Sequence, residues 1–400
     1  MCHRSFSTLF IDEVLDNVGE HEDYSFTDGF SRYHQIRISK EDEKKTKFMM
    51  EYGCYQYRVM PFGLKNAPTI FSRVVVATFR EFIHKFLEVY FDDWTVFGLL
   101  NKHIEKLRLM FDRCRKCQIA LNLKKCILCP PFGIFLGHVV CKQGLIVDPA
   151  KIAIIVSLPA PTSVRQLRAT LGHTRYYMKF IWGYAHITAP MEKLLKKDTK
   201  FTWTEDCQRS LDILKENMVN VPILVFPDWR KVFHVHVDAS SIALGTVLAQ
   251  QGVGEIDHPM AFSSRKLSTA ENNYTTTERE GLAMVYALQK YRHYLLGGHF
   301  KMYTNHSALR YLVKKLVLGE RICRWLLLFQ EYDFEVIVKL GKHNTRRDHL
   351  SRLESGEEGG KLDDSLLDAQ LISVRMVDEQ FGDIIQFLNI GVAPAEYTTA

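Results

Sequence analysis

The chain has 400 residues, 46% hydrophobic and 24% charged, a globular composition with room for two or three domains. Its longest uncharged runs, 126–141 and 239–254, are shorter than the ~20 apolar residues of a membrane helix, so no membrane partner is expected. The net charge of +6 is uneven: residues 101–200 hold 18 Lys and Arg against 5 Asp and Glu, which fits a polyanion-binding surface and a solvated basic face equally well.

Residues 69–87 place Ile70, Phe71, Val74, Val75, Phe79, Phe82, Ile83 and Phe86 at helical spacing behind the breaker Asn66-Ala67-Pro68, which predicts an amphipathic helix. Val89-Tyr90-Phe91 and Trp94-Thr95-Val96-Phe97 predict a hairpin with Asp92 and Asp93 at its tip. Residues 148–228 read as short helices separated by Pro149, Pro159, Pro161, Pro190, Pro222 and Pro227. From Phe233 the pattern alternates strictly, followed by strands near 245–250 and 258–264 and a long helix over 271–296. Strand 299–304, helical segments 307–315 and 320–331, and strand 333–339 complete a mixed α/β domain at 229–353. Residues 354–400 hold ten acids against Lys361 and Arg375 and read as a linker, with one short helix near 383–389.

Adjacent acids between apolar strands are either a solvated turn or carboxylates held on a rigid hairpin, and the local residues leave both open. Asp28 ends another strand-like run, and the loop Val59-Met60-Pro61-Phe62-Gly63-Leu64-Lys65-Asn66-Ala67-Pro68 lies between. Nucleotidyl transfer uses such a set: carboxylates on neighbouring strands hold two divalent ions about 4 Å apart. A glycine-containing loop lets backbone approach the nucleotide. In order, Asp28 with Tyr33-His34-Gln35-Ile36, that loop, Tyr90-Phe91-Asp92-Asp93 and Phe135-Leu136-Gly137-His138 resemble the palm motifs of gypsy-type long-terminal-repeat retrotransposon reverse transcriptases.

The resemblance implies an RNA-directed DNA polymerase of α/β (α+β) class, a right-hand palm and thumb with truncated fingers. It makes Asp28, Asp92 and Asp93 ligands of Mg²⁺ or Mn²⁺, two ions per site. Tyr33, Phe62 and Gly63 would meet the deoxynucleoside triphosphate, Tyr33 refusing a ribose 2′-hydroxyl; Leu136 and Gly137 would grip the primer end. Ordinary core packing remains open for Tyr33. Arg32 stands where the family usually has glycine, and the fingers strands that carry basic residues for the triphosphate are expected to be missing.

His234-Val235-His236-Val237-Asp238 ends an alternating strand on a carboxylate, and Glu280 shares a helix face with Met284, Ala287 and Tyr291. An acid on an apolar stripe needs a partner or a metal unless it reaches water at the stripe's edge. Asp238, Glu280, Tyr303-Thr304-Asn305-His306 and Arg347-Asp348-His349, with Ser263-Ser264-Arg265-Lys266-Leu267-Ser268 among them, resemble the ribonuclease H domain that follows the polymerase in the same elements. The resemblance implies a mixed-sheet domain that hydrolyses the RNA strand of a hybrid with four carboxylates around two metals. Asp238, Glu280 and Asp348 match three of them, and Asn305 stands at the fourth. An amide oxygen coordinates Mg²⁺ without supplying charge, so an impaired nuclease is expected.

Cys114-x-x-Cys117 and Cys126-x-x-Cys129 have the look of structural zinc, but eight residues separate the pairs where a ribbon has about 15–20, which argues against it. His234 and His236 alternate on one strand face and read as a satisfied pair. The implied division is 1–147 palm with partial fingers, 148–228 thumb and connection, 229–353 ribonuclease H-like domain, and 354–400 acidic linker toward an integrase. Asp363-Asp364-Ser365-Leu366-Leu367 resembles such linkers in plant elements. Expected partners are an RNA/DNA template–primer duplex and deoxynucleoside triphosphates, with protease and integrase in a parent polyprotein; the oligomeric state stays open. The basic excess of 101–200 then reads as a duplex grip. No secretory signal precedes Asp12, and the odd count of nine cysteines suits reduced thiols, which places the chain inside the cell, in a cytoplasmic virus-like particle or the nucleus. The competing function is a catalytically dead remnant that only binds nucleic acid.

Overall fold

Alternating apolar and polar residues along two acid-ended strands set the first sheet. In a computed structural model that describes residues 11–338 apart from 198, 253, 255, 308 and 310–319, the chain divides into two units at Asp148 and Pro149. The first unit runs α1 (Ile11–Val18), β1 (Asp23–Asp28), α2 (Lys40–Glu43), β2 (Phe48–Met50), β3 (Gly53–Tyr55) and α3 (Ala67–Phe79). It continues with β4 (Leu87–Tyr90), β5 (Asp93–Gly98), α4 (Leu100–Cys117), β6 (Ile127–Leu128), β7 (Phe132–Phe135), β8 (His138–Cys141) and β9 (Gly144–Val147). The main sheet is antiparallel in the order β4-β5-β1-β6. Phe71, Val75 and Phe79 of α3 and Leu107 and Met110 of α4 share a core with Leu87, Val89, Trp94 and Val96 of the hairpin.

The helix expected over 69–87 ends at Phe79. The N–H groups of Phe82 and Ile83 turn back to the Phe79 carbonyl and His84 takes a left-handed φ of +63°, so Phe82, Ile83 and Phe86 reach the core from a turn. α4 is closed in the same way by Gln118 at φ +56°, whose N–H caps the Cys114 and Arg115 carbonyls.

Beneath the sheet, His103 of α4 is fully buried, with Nε2 2.7 Å from Ser25 Oγ. Burial, with Lys106 adding to it, pushes its pKa down to about 4 from an ordinary 6.5. An unfolded histidine therefore takes up a proton first as pH falls, and the unit loses stability between pH 6.5 and 4, by up to about 3 kcal/mol. Urea unfolding at pH 7 and 4.5 is expected to show a clearly smaller acid loss in His103→Gln than in the parent; equal losses would count against this role for His103.

The second unit opens with helices α5 (Pro149–Ser157), α6 (Val164–Tyr176), α7 (Tyr184–Lys193) and α8 (Glu205–Val219). Pro190 lies inside α7 rather than between helices, against expectation: the helix starts only at Tyr184, after the left-handed Gly183. There follow β10 (Phe233–Ala239), β11 (Ala243–Gln251), β12 (Asp257–Lys266), α9 (Thr276–Lys290), α10 (Arg292–Leu295), β13 (His299–Thr304), α11 (Glu320–Phe329) and β14 (Asp333–Val338). Their sheet has the order β12-β11-β10-β13-β14, antiparallel on the β12 side and parallel from β10 to β14. The long helix expected over 271–296 is shorter: a capping box of Thr275 and Glu278 starts α9, and the chain turns at Tyr291. Most of the segment at 307–315, and everything beyond 338 including Asp348, lies outside the described residues.

Candidate active site

Asp28 and Asp93 are direct cross-strand partners at the end of β1 and β5. Tyr90 pairs with Asp93, so the turn consists of Phe91 and Asp92 alone, and Asp93 belongs to the strand rather than to the expected tip. Phe91 takes φ +52°. Trp94 pins that turn: fully buried against Phe71 and Phe79, it donates its indole N–H to the Phe91 carbonyl at 3.1 Å. Two carboxylates on paired strands and one in the adjoining turn are thereby presented together.

Their charges are not left alone. Burial pushes the Asp92 pKa up, opposed by Arg32 and reinforced by Asp93 and Asp28; burial and then Asp28 push Asp93 up. Arg32 Nη1 lies 2.8 Å from Asp92 Oδ2 and its Nε 3.7 Å from Asp28 Oδ1, while Lys125 Nζ lies 3.0 Å from Asp28 Oδ2. The loop after α4 delivers Lys125. Asn122 donates its N–H to the Asp28 carbonyl at 2.8 Å, and Phe30 donates to Ala120 at 2.9 Å. The Gln35 side chain brackets the same loop, accepting the Ala120 N–H at 2.8 Å and donating to the carbonyls of Ala120 and Phe30. Sequence periodicity marks neither Gln35 nor Lys125, because their partners are distant in the chain.

Tyr33 sits in a 3₁₀ turn (Arg32–Gln35), its ring 5.1 Å from Phe62 and 5.9 Å from Phe71. Phe62 is 57% exposed and Gly63 takes φ +96°, which only glycine adopts without strain. Leu136 and Gly137, at φ +50° and +70°, form the two-residue turn between β7 and β8, the mirror-type turn that matches strand twist.

The donor set suits a hard cation: Asp28 Oδ1 and Asp92 Oδ1 are buried and make no hydrogen bond among the described residues. Among the described residues, however, no three His, Cys, Asp or Glu side chains close into a ready-made metal group. Cys114 is buried in the first core and Cys126 Sγ donates to the Asn122 carbonyl at 3.3 Å.

In the second unit Asp238 lies near the end of β10, opposite Gly245. The parallel register His236 to Tyr303 carries Asn305, two residues on, to the same end of the sheet. Glu280 is buried on α9 beside Met284 and Ala287. Asp238 also lines a small cavity with Gly183, His186, Ser240 and Ser264. α7 packs on β12 through the Ala185 N–H on Ser264 Oγ at 2.8 Å, and Trp182, just before the helix, lies edge-on to Phe262. Nothing in the spacing of 148–228 announces that packing. His234 and His236 both engage Asp257, at 2.6 and 2.8 Å. Burial opposes ionisation of Asp257, but those two hydrogen bonds outweigh it and hold the carboxyl far below its usual range.

Residues 2–140 match the family described as reverse transcriptase (RNA-dependent DNA polymerase), and residues 228–332 match the RNase H-like domain found in reverse transcriptase. The retrovirus-related Pol polyprotein from transposon 297 of Drosophila melanogaster is 38% identical over 349 residues, 87% of this chain and 32% of that protein. That from transposon gypsy of the same organism is 33% identical over 360 residues, 85% of this chain and 34% of that protein. The transposon Tf2-3 polyprotein of Schizosaccharomyces pombe is 29% identical over 348 residues, 86% of this chain and 26% of that protein. The chain spans about a third of the length of the curated relatives it matches. Foamy viral protease-reverse transcriptase in complex with dsDNA superposes with a TM-score of 0.75 at 20% identity, covering 85% of this chain and 72% of that one. The same protein in complex with RNA/DNA hybrid gives 0.73 at 20% identity, covering 90% and 48%. These likenesses show the fold.

Proposed function

We infer, for a chain that belongs to the reverse transcriptases of retrotransposon Pol polyproteins, that its first unit performs template-directed nucleotidyl transfer at Asp28, Asp92 and Asp93. The observation that carries this reading is the register of Asp28 against Asp93 with Asp92 in the adjoining turn, two of the three bearing a buried oxygen without a hydrogen bond. Two Mg²⁺ or Mn²⁺ ions, when bound, supply the charge that activates a primer 3′-hydroxyl and steadies the leaving pyrophosphate.

The chain's own part is positional. Tyr33, wedged between Phe62 and Phe71, is held firmly enough to refuse a ribose 2′-hydroxyl, and exposed Phe62 offers an apolar wall to the sugar of a deoxynucleoside triphosphate. Gly63 lets backbone approach that nucleotide, and the Leu136-Gly137 turn presents backbone to the primer end. Arg165, Arg168 and Arg175 line the exposed side of α6, where they grip a template–primer duplex within the proposed thumb and connection, 148–228. In the proposed ribonuclease H-like domain, 229–353, Asp238, Glu280 and Asp348 act on the RNA strand, weakened by Asn305. The proposed setting is intracellular, and integrase and protease would belong to the parent polyprotein. A second reading, binding without turnover, is favoured by Arg32 on Asp92 and by Asn305.

Primer extension with Mg²⁺ on an RNA template tests this. Asp92→Asn is expected to lower incorporation at least about 10³-fold. Duplex affinity should be retained in that variant and should fall steeply with salt in both proteins. Equal extension by both proteins would sink the assignment. No extension by either, with salt-sensitive binding intact, would support the second reading.

A further inference from the structure

Ser31 and Arg32 are consecutive residues with left-handed backbone, φ +49° and +36°. Each carries a Cβ, and that region costs such residues on the order of 1 kcal/mol apiece. The turn throws the Arg32 side chain back across the sheet end, where one guanidinium meets two carboxylates: Asp92 Oδ2 at 2.8 Å and Asp28 Oδ1 at 3.7 Å. Lys125 takes the other oxygen of Asp28 at 3.0 Å. The side chains of Asp28 and Asp92 are 13% and 16% exposed, that of Arg32 37%, so the guanidinium stands on the solvent side of the acids.

We propose that Arg32 is a built-in counter-cation of the candidate metal site, which neutralises Asp28 and Asp92 in the metal-free chain and must be displaced before a divalent ion can bind. The proposal rests on the reading of those two acids as metal ligands. Three acids presented together repel one another, and a cation among them relieves the repulsion. A guanidinium cannot lose its proton in this pH range, so the block is lifted only by movement of the side chain. Its partial exposure gives it somewhere to go. Arg32 therefore weakens metal binding without forbidding it, and by linkage the metal releases the Arg32 contact.

Mn²⁺ titration of the full chain, followed by the electron paramagnetic resonance of the free ion, tests this, with Asp238→Asn present throughout to disable the second carboxylate cluster. Arg32→Gly and Arg32→Gln are each expected to bind Mn²⁺ about tenfold more tightly or better, and the gain is expected to vanish when Asp92→Asn is added. The Gln variant keeps a Cβ at the strained position, so a gain shared by both variants traces to charge. In chelator, Arg32→Gln should melt below the parent and be raised further by Mn²⁺. Equal Mn²⁺ affinity in parent and variants, lost with Asp92→Asn, would overturn the counter-cation and leave the metal ligands standing. Binding indifferent to Asp92→Asn in every background would overturn the ligand reading and the proposal with it.

Discussion

Trp94→Ala is expected to destabilise the first unit by about 3–5 kcal/mol and to release the Phe91-Asp92 turn. The indole is fully buried and touches both Phe71 and Phe79, so truncation empties the centre of the core that α3 and the hairpin share. Its N–H also satisfies the carbonyl of Phe91, the residue whose left-handed backbone makes a two-residue turn possible. Trp94→Phe separates the two roles. It keeps most of the apolar contact and should cost less stability, yet it still frees the Phe91 carbonyl and should depress nucleotide incorporation. Denaturant unfolding followed by circular dichroism, with primer extension on the same samples, gives both readouts. A Trp94→Ala midpoint within error of the parent would contradict the packing argument.

Asn305→Asp is expected to raise cleavage of the RNA strand of a hybrid by on the order of a hundredfold. β10 and β13 are parallel neighbours, so position 305 lies at the same sheet end as Asp238, where a second carboxylate would restore charge that an amide lacks. That added acid should be tolerated with metal and mildly destabilising without it, because it brings a second acid to that sheet end. Hydrolysis measured on a labelled hybrid over a Mg²⁺ series checks the point; a parent as fast as Asn305→Asp would refute it. A flat response in both proteins would point to α7, whose His186 lines the same small cavity as Asp238.

Local chemistry made much of this architecture readable. Apolar runs either side of Asp92-Asp93 could hardly be anything but a hairpin, and the alternation from Phe233 gave β10 directly. The Thr275-x-x-Glu278 capping box marks the start of α9, inside an apolar pattern that runs longer than the helix. Other features had no local signature. The placement of Asp93 on a strand follows from the left-handed backbone at Phe91, which a phenylalanine does not advertise. Gln35 clamps a loop 85 residues away, and His186 lines one cavity with Asp238 only because α7 packs on β12. Such placements depend on tertiary contacts, which periodicity cannot encode.

The order of strands in the first sheet governs how the unit can be made. β1 lies between β5 and β6, although both follow it in the chain by many residues. During synthesis β1 emerges with both edges bare, can pair first only when the hairpin β4-β5 has formed, and closes its other edge only when Leu128 has appeared. Asp28 is therefore the first made of the three carboxylates Asp28, Asp92 and Asp93, and among the last to be fixed in place. Any interruption of the chain between β5 and β6 leaves an unprotected edge on the strand that carries Asp28.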